Sequence, residues 1–193
     1  MRQLIFLTII SFSLFGTTIA QEFSKIDKSP LDVAYYPEKA TKRYFEKSEE
    51  KKAALSPIIK IYYSRPSKKD REIFGKLVPF GKLWRTGANE TTEITFYKDV
   101  KIGEKLVRKG NYTLASIPNK DSWKLVISNT IDSWGVYVYD RSSTVAEVSS
   151  TSIKTNNTIE NFSITFYEKT TNTVHLKMGW DDTIVEFPIE IIN

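Results

Sequence analysis

Residues 65–90 gather Arg65, Arg71, Trp84, Arg85, Asn89 and Glu90 around turns marked by Pro66, Gly75, Gly81 and Gly87. Guanidinium forks grip a carboxylate or phosphate at two points. An indole offers a flat apolar face to a sugar ring or a base, and an Asn-Glu pair supplies donors and acceptors for hydroxyls. Together these groups describe a site for a polar ligand, glycan-like or anionic. The same groups could instead satisfy one another, with Arg85 paired to Glu90, Arg65 to Asp70 or Glu72, and Trp84 plugging a core. Structural ion-pair networks imitate sites, so both readings fit the same residues.

A second group is Asn129, Asp132, Trp134, Tyr137 and Tyr139. Trp134-Gly135 follows a polar loop and opens an aromatic stretch, so Trp134 and Tyr139 are candidates to line a shallow cleft. The alternative is inward packing of Trp134, with Tyr137 and Tyr139 covering the outer face. Hydrolysis of a glycoside would need two carboxylates about 5–10 Å apart. Glu90 as acid or base, with Asp132 or Asp140, meets that need only if their loops converge. Asp181-Asp182 reads as a hairpin turn between the last two strands and carries no chemistry. His175 alternates with Val174 and Leu176 on the side of Thr173 and Lys177, which makes it an exposed residue.

Composition narrows the chemistry further. The chain has 193 residues, no cysteine and one histidine. Disulfide scaffolds, thiolate metal sites and catalytic thiols are excluded, and a Ser-His-Asp triad would depend on His175 alone. No EF-hand spacing, phosphate-cradling glycine loop or dinucleotide fingerprint is present, so neither a metal nor a cofactor is expected. The chain is 40% hydrophobic and 26% charged, which suits a folded domain. Its net charge of +5 is modest. Nucleic acid is not the expected partner; an anionic glycan or lipid head group is more accessible outside the cytoplasm, and the favoured alternative is that the Lys-rich surface merely keeps the domain soluble.

That compartment follows from residues 1–20, which read as a signal peptide. Arg2 is the positive flank, residues 4–15 are apolar apart from Thr8, Ser11 and Ser13, and Thr18-Ile19-Ala20 supplies small residues for cleavage. The apolar stretch is short for a membrane span and no basic stop-transfer flank follows. Export to the periplasm or the extracellular space is expected, with no transmembrane span after cleavage.

The elements that must position the candidate groups are strands. Ile59, Ile61 and Tyr63 alternate with Lys60 and Tyr62, and the same period of two runs through residues 93–97, 123–127, 162–167, 174–180 and 185–191. Breaks at Gly75, Gly81, Gly87 and Asn129 separate the runs, and Lys109-Gly110-Asn111 and Asn156-Asn157 suit tight hairpin turns. Residues 21–56 differ in texture. Residues 33–37 form an extended piece closed by Pro37, and the Lys- and Glu-rich stretch after it fits a short, solvated helix. The expected architecture is all-β: an antiparallel two-sheet β-sandwich over residues 57–193, preceded by an N-terminal arm over residues 21–56 that contains a short helix.

From about Ser29 to Ile189 the chain resembles the family catalogued as domain of unknown function 2911, found in exported bacterial proteins. The resemblance rests on Tyr63-Ser64-Arg65-Pro66, Arg71-Glu72-Ile73-Phe74-Gly75, Leu77-Val78-Pro79-Phe80-Gly81 and Trp84-Arg85-Thr86-Gly87-Ala88-Asn89-Glu90. Gly110-Asn111-Tyr112-Thr113-Leu114, Ile117-Pro118 and Trp134-Gly135 also fit. Asp70, Phe80 and Ser116 depart from the pattern, standing where glycine, tyrosine and a larger apolar residue are usual. The resemblance implies a β-sandwich and an exported protein, and it implies no activity.

The leading functional expectation is an exported binding or accessory domain whose ligand site draws on Arg65, Arg71, Trp84, Arg85, Asn89, Glu90 and Trp134. A hydrolase using Glu90 with Asp132, and a structural or protein-interaction module acting through a sheet edge or the arm, are the alternatives.

Overall fold

Alternating side chains become alternating burial along several of the strands. In β2 (Ile59–Ser64), Ile59, Ile61 and Tyr63 are buried while Tyr62 is exposed. The computed structural model describes residues 22–192, so the leader expected over residues 1–20 lies outside the described residues. The strands are β1 (Leu31–Tyr36), β2, β3 (Glu93–Phe96), β4 (Val100–Ile102), β5 (Lys105–Val107), β6 (Gly110–Pro118), β7 (Ser122–Ser128), β8 (Thr144–Thr170) and β9 (Thr173–Ile191). They join in one nine-stranded sheet of order β1-β2-β3-β6-β7-β8-β9-β4-β5. Among the described residues every pairing between these strands is antiparallel, as the period-two pattern implies.

The last two strands give the sheet its shape. β9 doubles back at Asp181-Asp182, where Asp181 takes φ +56°. Its two halves lie side by side: Ile191 N–H donates to Asn172 O at 2.7 Å, and Lys177 Nζ sits 3.5 Å from Glu186 Oε1. The hairpin expected there is therefore present. β8 passes around the tip of that hairpin. Residues 152–154 pair with residues 183–185 on one flank, and residues 159–168 pair with residues 174–181 on the other. The register shifts between Lys154 and Ile159, so Asn156-Asn157 occupies a corner rather than a tight hairpin turn between paired strands. Lys154 Nζ fastens the corner to Asp182 Oδ1 at 2.6 Å.

The far half of β8 closes over β2. Tyr63 donates its hydroxyl proton to Ile164 O at 3.4 Å and accepts from Ile164 N–H at 3.1 Å. Burial pushes the Tyr63 phenol up from its ordinary value. The buried apolar residues form a hydrophobic core centred on Phe74, Trp84, Trp123, Phe162 and Trp180. Trp84 and Trp180 stack at 6.0 Å and 15°, and Phe74 meets Trp123 edge-on at 4.7 Å. Such aromatic packing adds about 0.5–1.5 kcal/mol per pair beyond burial.

The arm is tied into the sheet through β1, which runs antiparallel along β2 from Leu31 opposite Ser64 to Tyr36 opposite Ile59. A 3-10 turn (Ala40–Phe45) and α1 (Glu49–Ala54) follow. Ser48 caps α1 by accepting from Lys51 N–H at 3.2 Å, and α1 buries no residue, which makes it the solvated helix expected. Among the described residues no helix is long and apolar enough to cross a membrane.

One turn is misplaced by the sequence pattern. Gly110 begins β6 opposite Phe96, and the tight turn instead joins β4 to β5 through Gly103, at φ +57°. Three-residue strands are too short to display a period.

Candidate functional site

The Trp84 to Glu90 motif is a rigid loop laid across β2 and β6. Trp84 N–H donates to Ser116 O at 2.7 Å and Ser116 N–H returns a bond to Trp84 O at 3.0 Å. The indole Nε1–H donates to Gly87 O at 3.1 Å. Thr86, fully buried with φ +56°, shares a hydrogen bond with the Ser116 hydroxyl at 2.9 Å. That bond explains the serine at position 116: a larger apolar residue there would leave the Thr86 hydroxyl without this partner. Gly87 presses against β2, where a Cβ would stand 3.2 Å from Ser64 O. The loop then joins residues 133–135, with Thr91 N–H donating to Ser133 O at 3.0 Å and Glu90 bridging to Trp134.

This scaffold sends the candidate groups to different places. Arg71, Trp84 and Arg85 meet around one cleft of ≈ 290 Å³. Its floor includes the Trp84 and Trp180 rings with Val78 and Pro66, and its rim carries Arg71, Lys82 and Arg85. Among the described residues three cations line the cleft and no carboxylate does. Arg71 donates from Nε to Lys68 O at 3.0 Å and from Nη2 to Ser67 O, which leaves Nη1 free to donate elsewhere. Arg85 donates from Nη1 to Asn89 O at 3.1 Å and makes no ion pair with Glu90. Lys82 has no partner among the described residues.

Asn89, Glu90 and Trp134 line a neighbouring cleft that shares Ser29 with the first. Asn89, at φ +58°, donates from Nδ2 to Asp27 Oδ1 at 3.0 Å. Glu90 is exposed and without a partner among the described residues, and Trp134 is 59% exposed.

Arg65 stands apart from both clefts. It donates to Asp32 Oδ2 at 2.9 Å, Phe162 O at 3.1 Å and Ser163 Oγ at 2.8 Å, clamping β1, β2 and β8 together. Asp70 and Glu72 are not its partners. The two carboxylates considered for hydrolysis are also divided. Glu90 lines clefts that do not include Asp132 among their walls, and Asp132 uses its N–H on Glu93 Oε1 at 3.3 Å. Tyr139 bonds the Thr144 hydroxyl, and Tyr137 is exposed, so neither joins Trp134 in its cleft. His175 is half-buried rather than exposed, with Nδ1 3.1 Å from the Tyr167 hydroxyl.

Sequence reasoning missed Lys82 and Trp180. Lys82 carried a signal, a cation between the Gly81 turn and Trp84. Trp180 carried none, because it reaches the cleft floor from the opposite end of the chain. Among the described residues no group of three acidic or histidine side chains could hold a metal ion.

Neither the curated proteins nor the solved structures contain a match to the chain. A family model matches residues 46–189, starting in α1's approach and ending in the last half of β9, and so spans the whole cleft-bearing loop. With well over half its length matched, the chain belongs to the family described as protein of unknown function, DUF2911.

Proposed function

We propose that this protein is a binding domain for a small anionic ligand with a sugar-like body, seated in the cleft of Arg71, Lys82 and Arg85. The observation that carries the reading is the cleft's one-signed rim: three cations around ≈ 290 Å³ with no acidic residue among its walls. An unneutralised cationic rim stores favourable energy for an arriving carboxylate or phosphate, and charge-assisted hydrogen bonds to it are about twice as strong as neutral ones. The indole floor supports the ligand's apolar face. The volume sits near the lower end of ligand cavities, about 300–1,000 Å³, which favours a single ring over an extended chain.

The reading places the protein in an exported compartment, delivered by the leader over residues 1–20, with an anionic envelope component as ligand. It takes residues 57–193 as a two-layer sandwich folded over at β8, and residues 21–56 as an arm bracing it. Isothermal titration calorimetry with D-glucuronate against D-glucose tests the site. Glucuronate is expected to bind saturably, glucose not, and the affinity to fall with added salt because the rim is solvent-exposed. Lys82→Ala with Arg85→Ala should weaken glucuronate binding by about ten- to a hundredfold. Equal affinity for the charged and uncharged sugars would overturn the proposal.

A further inference from the structure

The second cleft has the opposite character. Two adjoining hollows of ≈ 340 and ≈ 260 Å³ share Leu31, Ser64 and Glu90, and form one groove between β1, β2 and the Trp134 loop. Asp27, Glu90 and Glu93 line it, and no lysine or arginine does. In a chain of net charge +5, an acidic groove without a cation in its wall is not the background surface. The loop divides its charges between the two clefts: Arg85 lines the first, with Nη1 reaching back to Asn89 O, and Glu90 lines the second.

Three further observations point to an occupant. Ser64 is 2% exposed, lines both hollows, and its Oγ has no hydrogen-bond partner among the described residues. By the alternation of β2, Ser64 shares its face with Tyr62, which also lines the groove, so the hydroxyl lies on the groove's side of the strand. A buried hydroxyl without a partner costs about 1–3 kcal/mol, a penalty a bound group can relieve. Glu90 has no partner among the described residues, and Trp134 stands exposed beside it. Beside the groove, one of its rings already accepts an ammonium: Lys60, which is not among the lining residues, holds Nζ 4.6 Å from the Tyr62 ring centroid without an ion pair to Glu90 or Glu93.

We propose that this groove binds the ammonium group of a small cationic ligand. The carboxylates of Glu90 and Asp27 take the charge, Trp134 covers the ligand's body, and Ser64 supplies the hydroxyl at the floor. An ammonium held between carboxylates and an indole face gains both ion pairing and a cation–π contact. The inference is independent of the anion cleft. An aliphatic amine and an amino sugar share this chemistry.

The test is calorimetry, with Trp fluorescence as a second readout, using cadaverine and D-glucosamine as probes and 1,5-pentanediol and D-glucose as their uncharged counterparts. Saturable binding of cadaverine alone identifies an aliphatic amine, and of glucosamine alone an amino sugar. Glu90→Gln and Trp134→Ala should each weaken that binding about tenfold. Both side chains are exposed, and far-UV circular dichroism checks that the variants keep their fold. No saturable binding of either probe, equal binding of the uncharged counterparts, or a Glu90→Gln protein that binds as tightly as the parent would overturn the groove. A protein that binds glucuronate but neither amine loses the groove and keeps the cleft; the reverse result separates them the other way.

Discussion

Trp84 and Arg85 are neighbours in the chain and do unlike work. Trp84 is 8% exposed and wedged among four aromatic rings, so Trp84→Ala should cost about 3–5 kcal/mol in urea unfolding. Arg85→Ala should stay within about 1 kcal/mol, since it gives up a single bond to a carbonyl. Arg65→Ala should fall between them, at about 1–3 kcal/mol discounted for its partial exposure, and Arg65→Lys should restore only part because one ammonium cannot span three acceptors. A flat profile across these variants would contradict the placement of the three side chains. The motif stood out in the sequence because polar and aromatic groups crowd around turn residues. Which of them faces outward was hidden, since that depends on the bonds to Ser116, Ser133 and Gly135, all distant along the chain.

The strands were legible wherever they were long enough to show their period. β2, β3 and both halves of β9 follow the alternation of their apolar residues, β7 buries Val126 along with Leu125 and Ile127, and β4 and β5, three residues each, do not reveal themselves. The turn of β9 followed from its adjacent aspartates; the path of β8 around that turn did not, because wrapping is a property of pairing and not of local sequence. On the outer face of this hairpin, Glu186 accepts from the Tyr167 hydroxyl and sits near Lys177 and His175. Burial acts to raise its pKa, but the bond from Tyr167 and the charge of Lys177 outweigh it and hold the carboxyl below its ordinary 4.5. A carboxyl depressed in the folded state adds stability above its unfolded value and gives it up as pH falls through the folded one. The melting temperature should therefore decline as pH drops below about 4.5. Glu186→Gln should start lower at neutral pH and decline less steeply. Parallel melting curves of the two proteins from pH 7 to pH 3 would refute the role of this cluster.

At the scale of the whole molecule, opposite charges line two neighbouring clefts that one loop separates. The sequence pattern showed the charges without their division between clefts, and the period-two runs pointed to a β protein without showing that its nine strands join in one sheet. What closes that sheet is the meeting of β2 with the far half of β8. Tyr63 and Ile164 are 101 residues apart, and Arg65 and Ser163 are 98 apart. Contacts so remote must be reached by a chain still free to wander, and topologies dominated by them acquire their native state in roughly milliseconds to seconds, not microseconds. Stopped-flow refolding from urea should show a main phase in that range, and a microsecond phase carrying the full amplitude would contradict it. A nascent chain that has not yet reached residue 180 would hold every group of the Trp84 to Glu90 motif and still have no Trp180 beneath it, so the floor of the cleft is completed long after its rim has been made.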